Sequence, residues 1–321
     1  MGTPRRPSRG TPRCATAAVA GLALAALTAC SPPADPTPAW STPAAAEPAL
    51  TVEVNQSRDQ YGRHGIELLI TNTTDSPVTV SDARLSTSLF QQDIRWDSAG
   101  GVVVVPPHQA KIRTAMLPTA ACPEPGQATS SGPAAVATAT LTLPAADATA
   151  PATVPPTTAP TPTSIALEAT DPLGILARNN AELCLSAAAA AVADLALAPD
   201  LAVAPDLRTA VVHLLVDPAG GARGSGRLTL ERFEGTTLLA EASADPWPVD
   251  TVVRAGDAPF VMNLRLRPAR CDAHAVAEDK VGTLLPVRVA VGMRSGQLKL
   301  VAGATLRGQL YDFVTKACAA G

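Results

Sequence analysis

Four cysteines, Cys122, Cys184, Cys271 and Cys318, sit at matching places in two stretches of the chain that repeat one another. Trp96 precedes Cys122 by 26 residues, and Trp247 precedes Cys271 by 24. Gly174 and Leu176 lie ten and eight residues before Cys184; Gly308 and Leu310 lie ten and eight before Cys318. Strand-like runs keep the same order, with Ile66 to Ile70 answering Val211 to Val216 and Ala139 to Leu143 answering Pro286 to Ala290. Similarity over this length is the mark of one unit built twice. We read it as an internal duplication, which restricts the chain to folds in which each half buries its own core.

The local pattern says what kind of unit is doubled. Short runs such as Thr51 to Val54, Val78 to Val80, Val102 to Val105 and Arg227 to Leu230 alternate or are continuously apolar, and Gly, Pro, Asp and Asn separate them. Such runs at near-regular spacing predict antiparallel β-sandwiches. With three Trp, two Tyr and four Phe in 321 residues, the cores have to be filled mainly by aliphatic side chains. The expected fold is all-β: two tandem antiparallel β-sandwich domains. Each resembles an immunoglobulin-like domain in architecture only, since the Cys-Trp-Cys order of a true immunoglobulin domain is absent. The first domain is expected over 50–186 and the second over 207–321. Between them, 187–206 reads as a connector, in which Ala187 to Ala191 favours helix and Pro199 and Pro205 interrupt it. The Pro- and Thr-rich stretch 144–164 would pass for a linker if read alone. Set against the short turn near Met293, it becomes an enlarged hairpin loop inside the first domain.

The first thirty residues divide like an export signal. Arg5, Arg6, Arg9 and Arg13 form a positive segment with no acidic residue, and Ala15 to Ala29 is apolar but too short to span a bilayer comfortably. It ends in Leu27-Thr28-Ala29-Cys30, which resembles the bacterial lipobox. The resemblance implies removal of residues 1–29 and lipidation of Cys30. The Pro-rich stretch 30–49 then reads as an extended tether. Abundant Ala, Val, Leu, Pro and Arg with only four Lys gives a composition similar to that of secreted lipoproteins of actinobacteria. The implied place is the outer face of the cell membrane, and the implied partner is that membrane.

Of the six cysteines, Cys14 leaves with the signal and Cys30 takes lipid. The other four, in an oxidising compartment, allow three disulfide pairings. A duplicated unit should close the same bridge twice, which selects Cys122 with Cys184 and Cys271 with Cys318. Each loop closure is worth about 4 kcal/mol in the chain-entropy account, and each bridge is expected to stabilise its own domain separately. Zinc is the competing use, but the cysteines are not arranged in C-x-x-C pairs.

The chain is mildly acidic, with 28 Asp and Glu against 25 Lys and Arg, and losing the signal's arginines deepens that imbalance. No basic stripe with interleaved aromatics occurs, which excludes the usual electrostatic footprint of nucleic-acid binding. Of the histidines, His64, His108, His213 and His274, none neighbours a nucleophile motif. There is no G-x-S-x-G, H-E-x-x-H or phosphate-binding loop, and no cofactor is implied. Gly220 to Gly226 reads as a flexible hairpin, and Trp96 and Trp247 as core anchors or rim plugs, with a binding groove as the competing reading. The densest polar run is Arg270 to Lys280, similar to a phrase found after the first domain cysteine in other actinobacterial secreted proteins. In it, His274 and Glu278 share a helix face at spacing four, with Asp279 beside them. These three are the candidate ligand, metal or proton-transfer residues. A solvated loop closed by the disulfide is the competing reading. The expected role is a non-enzymatic binding or scaffold module of the envelope, with an unidentified envelope protein as a further partner. The alternatives are a metal handler or enzyme centred on the second domain, and a solute-capture lipoprotein.

Overall fold

A computed structural model describes residues 48–96, 101–122, 137–144, 162–220, 226–242 and 246–319. The signal 1–29, Cys30 and nearly all of the tether 30–49 lie outside these residues, as do 145–161 of the Pro-rich loop and 221–225 of the Gly-rich run.

The chain is mostly β, with a β-sandwich type of fold. In the first half β1 (Leu50–Asn55), a 3-10 turn (Arg58–Arg63) and β2 (Gly65–Asn72) lead to β3 (Val78–Val80), β4 (Asp82–Ser86) and β5 (Ile94–Arg95). These are followed by β6 (Val103–Val105), β7 (Ala110–Met116), β8 (Ala137–Leu143), β9 (Thr163–Thr170) and helix α1 (Ile175–Ala190). The second half contains β10 (Ala193–Val203), β11 (Ala210–Pro218), β12 (Arg227–Phe233), β13 (Leu239–Glu241), β14 (Thr251–Arg254) and β15 (Phe260–Pro268). It finishes with the short α2 (Ala273–Ala277), β16 (Leu284–Val291), β17 (Arg294–Val301) and α3 (Ala304–Ala319).

Strand pairing follows one plan in both halves. The antiparallel ladder β1-β2-β7 corresponds to β10-β11-β15, and β4-β8-β9 corresponds to β12-β16-β17. The pair β3-β6 matches β12-β14. One difference is that β1 also pairs in parallel with β9, which joins the two ladders of the first half into a seven-stranded sheet. Alternation decides which face turns inward. Leu50, Val52 and Val54 of β1 and Ile66, Leu68 and Ile70 of β2 are buried in one core, while Val212, Leu214 and Val216 of β11 and Val287 and Val289 of β16 are buried in another. Each such side chain contributes roughly 1.5–3 kcal/mol on leaving water. The two tryptophans are buried anchors, Trp96 in the first core and Trp247 in the second.

Both expected disulfides form. Cys122–Cys184 has a Cα–Cα distance of 5.5 Å and Cys271–Cys318 one of 5.2 Å. Each ties the helix that ends its half, α1 or α3, to the segment just after β7 or β15.

Three expectations need correction. The chain is not all-β, because α1 and α3 are helices of 16 residues each. Their signal was present: Leu306, Leu310, Phe313, Val314 and Ala317 recur with helical period and form the buried face of α3. In α1 the first-turn amides of Ile175 and Leu176 donate to the Asp171 carboxylate, at 2.7 and 2.9 Å, so the cap comes from four residues upstream. Second, 187–206 is not a connector. It completes α1 and then supplies β10, paired with β11 from Ala193↔Pro218 to Val203↔Ala210. Pro199 is tolerated there because it falls in a register shift between Leu197 and Leu201, on a strand at the sheet's edge. Third, the Gly-rich run after β11 does not close a hairpin, because β11 and β12 lie in different sheets.

The stretch between β8 and β9 does close one: Leu143 pairs with Thr163 and Ala137 with Ala169. The equivalent strands β16 and β17 are joined through Gly292 and Met293, with Gly292 at φ 57° where a Cβ would be strained. Asn72, which begins a sequon-like triplet, is fully buried, and its amide Nδ2 donates to the carbonyls of Ser76 and Val105.

Helix α1 is shared between the halves. Ile175, Leu176 and Cys184 belong to the first core, and Leu185 and Ala189 to the second. The helix therefore runs through the seam between the halves, so neither half ends cleanly where the sequence repeat does.

Candidate functional site

The sequence-predicted residues do not converge. Asp272 caps α2 by accepting the His274 backbone N–H at 2.9 Å, and the His274 side chain is exposed. The Glu278 backbone N–H donates to the His274 carbonyl at 3.0 Å, which realises the spacing of four on the backbone, and the Glu278 side chain is exposed too. Asp279 turns away to a structural task. Its carboxylate accepts the Thr237 hydroxyl at 2.6 Å, the Tyr311 hydroxyl at 2.9 Å, and the Gly282 N–H at 3.0 and 2.8 Å to its two oxygens. Those bonds tie the loop before β16 to the turn before β13 and to α3. Among the described residues, no three His, Cys, Asp or Glu side chains gather as metal donors.

Burial pushes the Tyr311 phenol up to about 12, and the hydrogen bond to Asp279 and that carboxylate's charge add to the effect. Arg307 opposes it. The folded pKa is therefore above the ordinary 10. The linked stabilisation is complete below pH 10 and is lost as pH rises through about 12. In Asp279→Asn, phenolate absorbance is expected to reveal one tyrosine titrating closer to 10 than in the parent protein. An unchanged titration curve would remove Asp279 as a cause.

What the fold does bring together lies at the seam between the two halves. Tyr61, on the 3-10 turn, has the Lys299 ammonium 5.1 Å from its ring centre and the Arg178 guanidinium 5.8 Å from it. Lys299 comes from β17, while Arg178 comes from α1. Lys299 also donates to Glu182 of α1 at 2.6 Å, with both side chains about three-quarters covered. Arg178 donates to Gln56 at 2.7 Å, and Gln56 is bonded in turn to Asn179 and to the Gly65 carbonyl. This network fixes the 3-10 turn against α1 and β17. Beside it opens a cleft of about 520 Å³ whose walls include Tyr61, Glu182, Leu195, Leu197 and Lys299. A second cleft of about 310 Å³ lies on the other side of Gly62 and Val301, which line both. Its wall includes Arg58, Arg63, Lys280, Arg307 and Tyr311.

Of these seam residues, only Asp279 and Lys280, at the end of the polar run Arg270 to Lys280, were singled out from the sequence. The available signal was scarcity: the chain has two tyrosines, and the fold places both at the seam.

No family model matches the chain, and no curated protein matches it. Solved structures give only faint likenesses. The E. coli chaperone DraB is 9% identical over 79% of this chain and 96% of its own, with a TM-score of 0.21. The periplasmic chaperone SfaE is 12% identical over 79% of this chain and 99% of its own, at 0.18. Red sea bream transglutaminase is 13% identical over 80% of this chain but 31% of its own, at 0.21. Values this low carry no argument about what the chain does.

Proposed function

We propose that this chain is a lipid-anchored binding or scaffold module on the outer face of the cell membrane, made of two β-sandwich domains that arose by duplication. The observation that carries the proposal is the pair of disulfides, Cys122–Cys184 and Cys271–Cys318, set at equivalent points of the two halves. Disulfides persist in oxidising compartments, in keeping with the export signal and lipobox-like tetrad read from the sequence. The matched strand pairing supports the duplication. The ligand-bearing surface is assigned to the seam, where both halves contribute walls to the same two clefts.

Two acyl chains hold a protein stably where one does not, since each buried methylene contributes about 0.8 kcal/mol. Expressed in an actinobacterial host, Cys30→Ser is expected to move the protein from the membrane pellet to the medium, or to leave it at unprocessed mass. A variant that stays on membranes with its signal removed would sink the anchor.

A further inference from the structure

The smaller cleft at the seam carries a charge that runs against the rest of the chain. Arg58 and Arg63 on the 3-10 turn line it from the first half, and Lys280 and Arg307 from the second. All four are exposed, so a solute can reach them. Two carboxylates, Asp59 and Asp279, face these four cations. Asp279 is already occupied by Thr237, Gly282 and Tyr311, and Asp59 accepts from Gln60 at 3.2 Å. Among the described residues, no ion pair joins the four cations to either carboxylate. Four positive charges against two negative ones leave an excess of two, in a chain whose formal net charge is −3.

We propose that this cleft binds a small phosphate-bearing ligand. The excess of two positive charges matches a phosphate dianion, where a single carboxylate would leave one charge unmatched. Three of the four cations are guanidinium groups, whose paired N–H donors fit two phosphate oxygens at once. The volume of about 310 Å³ is at the lower end of the range for small-ligand sites, which leaves room for a short ester substituent beside the phosphate. Because the groups come from both halves, the site exists only when the seam is closed. The assignment rests on the binding-module reading and does not depend on the lipid anchor.

The test uses the full-length protein in a neutral detergent, titrated calorimetrically at low ionic strength with inorganic phosphate and with glycerol 3-phosphate. Saturable one-site binding is expected, weakening as salt is added, because exposed charges are screened. Arg63→Gln and Arg307→Gln should each reduce the affinity at least about tenfold, and the double variant should abolish binding. Arg84→Gln, on β4, lines none of these clefts and should bind like the parent. Tighter binding of glycerol 3-phosphate supports an esterified ligand such as a lipid headgroup, and equal binding supports free phosphate. No saturable binding of either compound would overturn the proposal, as would parental affinity in folded Arg63→Gln and Arg307→Gln. If phosphate fails to bind while Cys30→Ser still releases the protein, the anion site falls and the anchored module stands.

Discussion

Replacing Cys122 and Cys184 with alanine is expected to reduce unfolding free energy by roughly 2–5 kcal/mol, and to weaken both halves. The bridge closes a sequence separation of 62 residues, and its second cysteine lies within α1. The residue after it, Leu185, is already in the second core, so loosening the helix uncovers apolar surface on both sides of the seam. The other bridge is different in kind. Cys271–Cys318 fastens α3, whose buried face lies wholly in the second core. Removing it should weaken the second half and leave the first nearly unchanged. Hydrogen exchange resolved along the chain checks this asymmetry. Faster exchange in β11 and β16 after loss of Cys122–Cys184 is the expected sign. Exchange that accelerates only in the half carrying the lost bridge, in both variants, would mean that the halves are independent, as the sequence repeat on its own predicts.

Trp247→Ala is expected to cost about 3–5 kcal/mol, the range for emptying an aromatic core position. The side chain is 6% exposed and meets Phe233 edge to face, with ring centres 6.4 Å apart. Its indole N–H donates to the Arg265 carbonyl at 2.7 Å, and its backbone N–H donates to the Glu241 carboxylate. Alanine therefore leaves a cavity and removes one of the two hydrogen bonds that the Arg265 carbonyl accepts, the Ala242 N–H at 3.2 Å being the other. Trp247→Phe should recover most of the packing while still lacking the indole bond, and so fall between the two. Denaturant titration reads the difference as a lower midpoint at unchanged slope. A cost under about 1 kcal/mol for the alanine variant would mean that Trp247 is a surface plug rather than an anchor.

The parts of this fold that could be read from sequence are those set by period two and by the cysteines. β1 and β8 declare themselves because one face is apolar and the other polar, and β2, β11 and β16 because they are short, largely apolar runs rich in branched residues. The disulfide pairing followed from the repeat. The helices were harder to see. The Asn179 side chain sits on the buried face of α1 and breaks its apolar stripe, and it is held there by Gln56 and the Ile175 carbonyl. β10 was hidden by Pro199, whose meaning depends on whether a strand is central or at an edge, and only the assembled sheet decides that. The seam clefts had no local signature. Arg58 and Arg307 are nearly 250 residues apart in sequence and come to line one cleft only in the folded chain. Among the candidate residues, Asp279 was read as a ligand, metal or proton-transfer group, whereas the fold uses its carboxylate to tie loops together. Its role is set by Thr237 and Tyr311, which no spacing rule connects to it.

The shared helix also bears on the order in which the protein can mature. A chain that crosses the membrane N-terminus first can complete the first half, including its disulfide, once α1 has emerged. At that moment Leu185 and Ala189 have no core to enter, because Val212, Leu214, Leu285 and Val287 have yet to emerge. The finished first half thus waits with a sticky helix end while about one hundred further residues emerge, a window in which it can be captured by another copy or guarded by a folding helper.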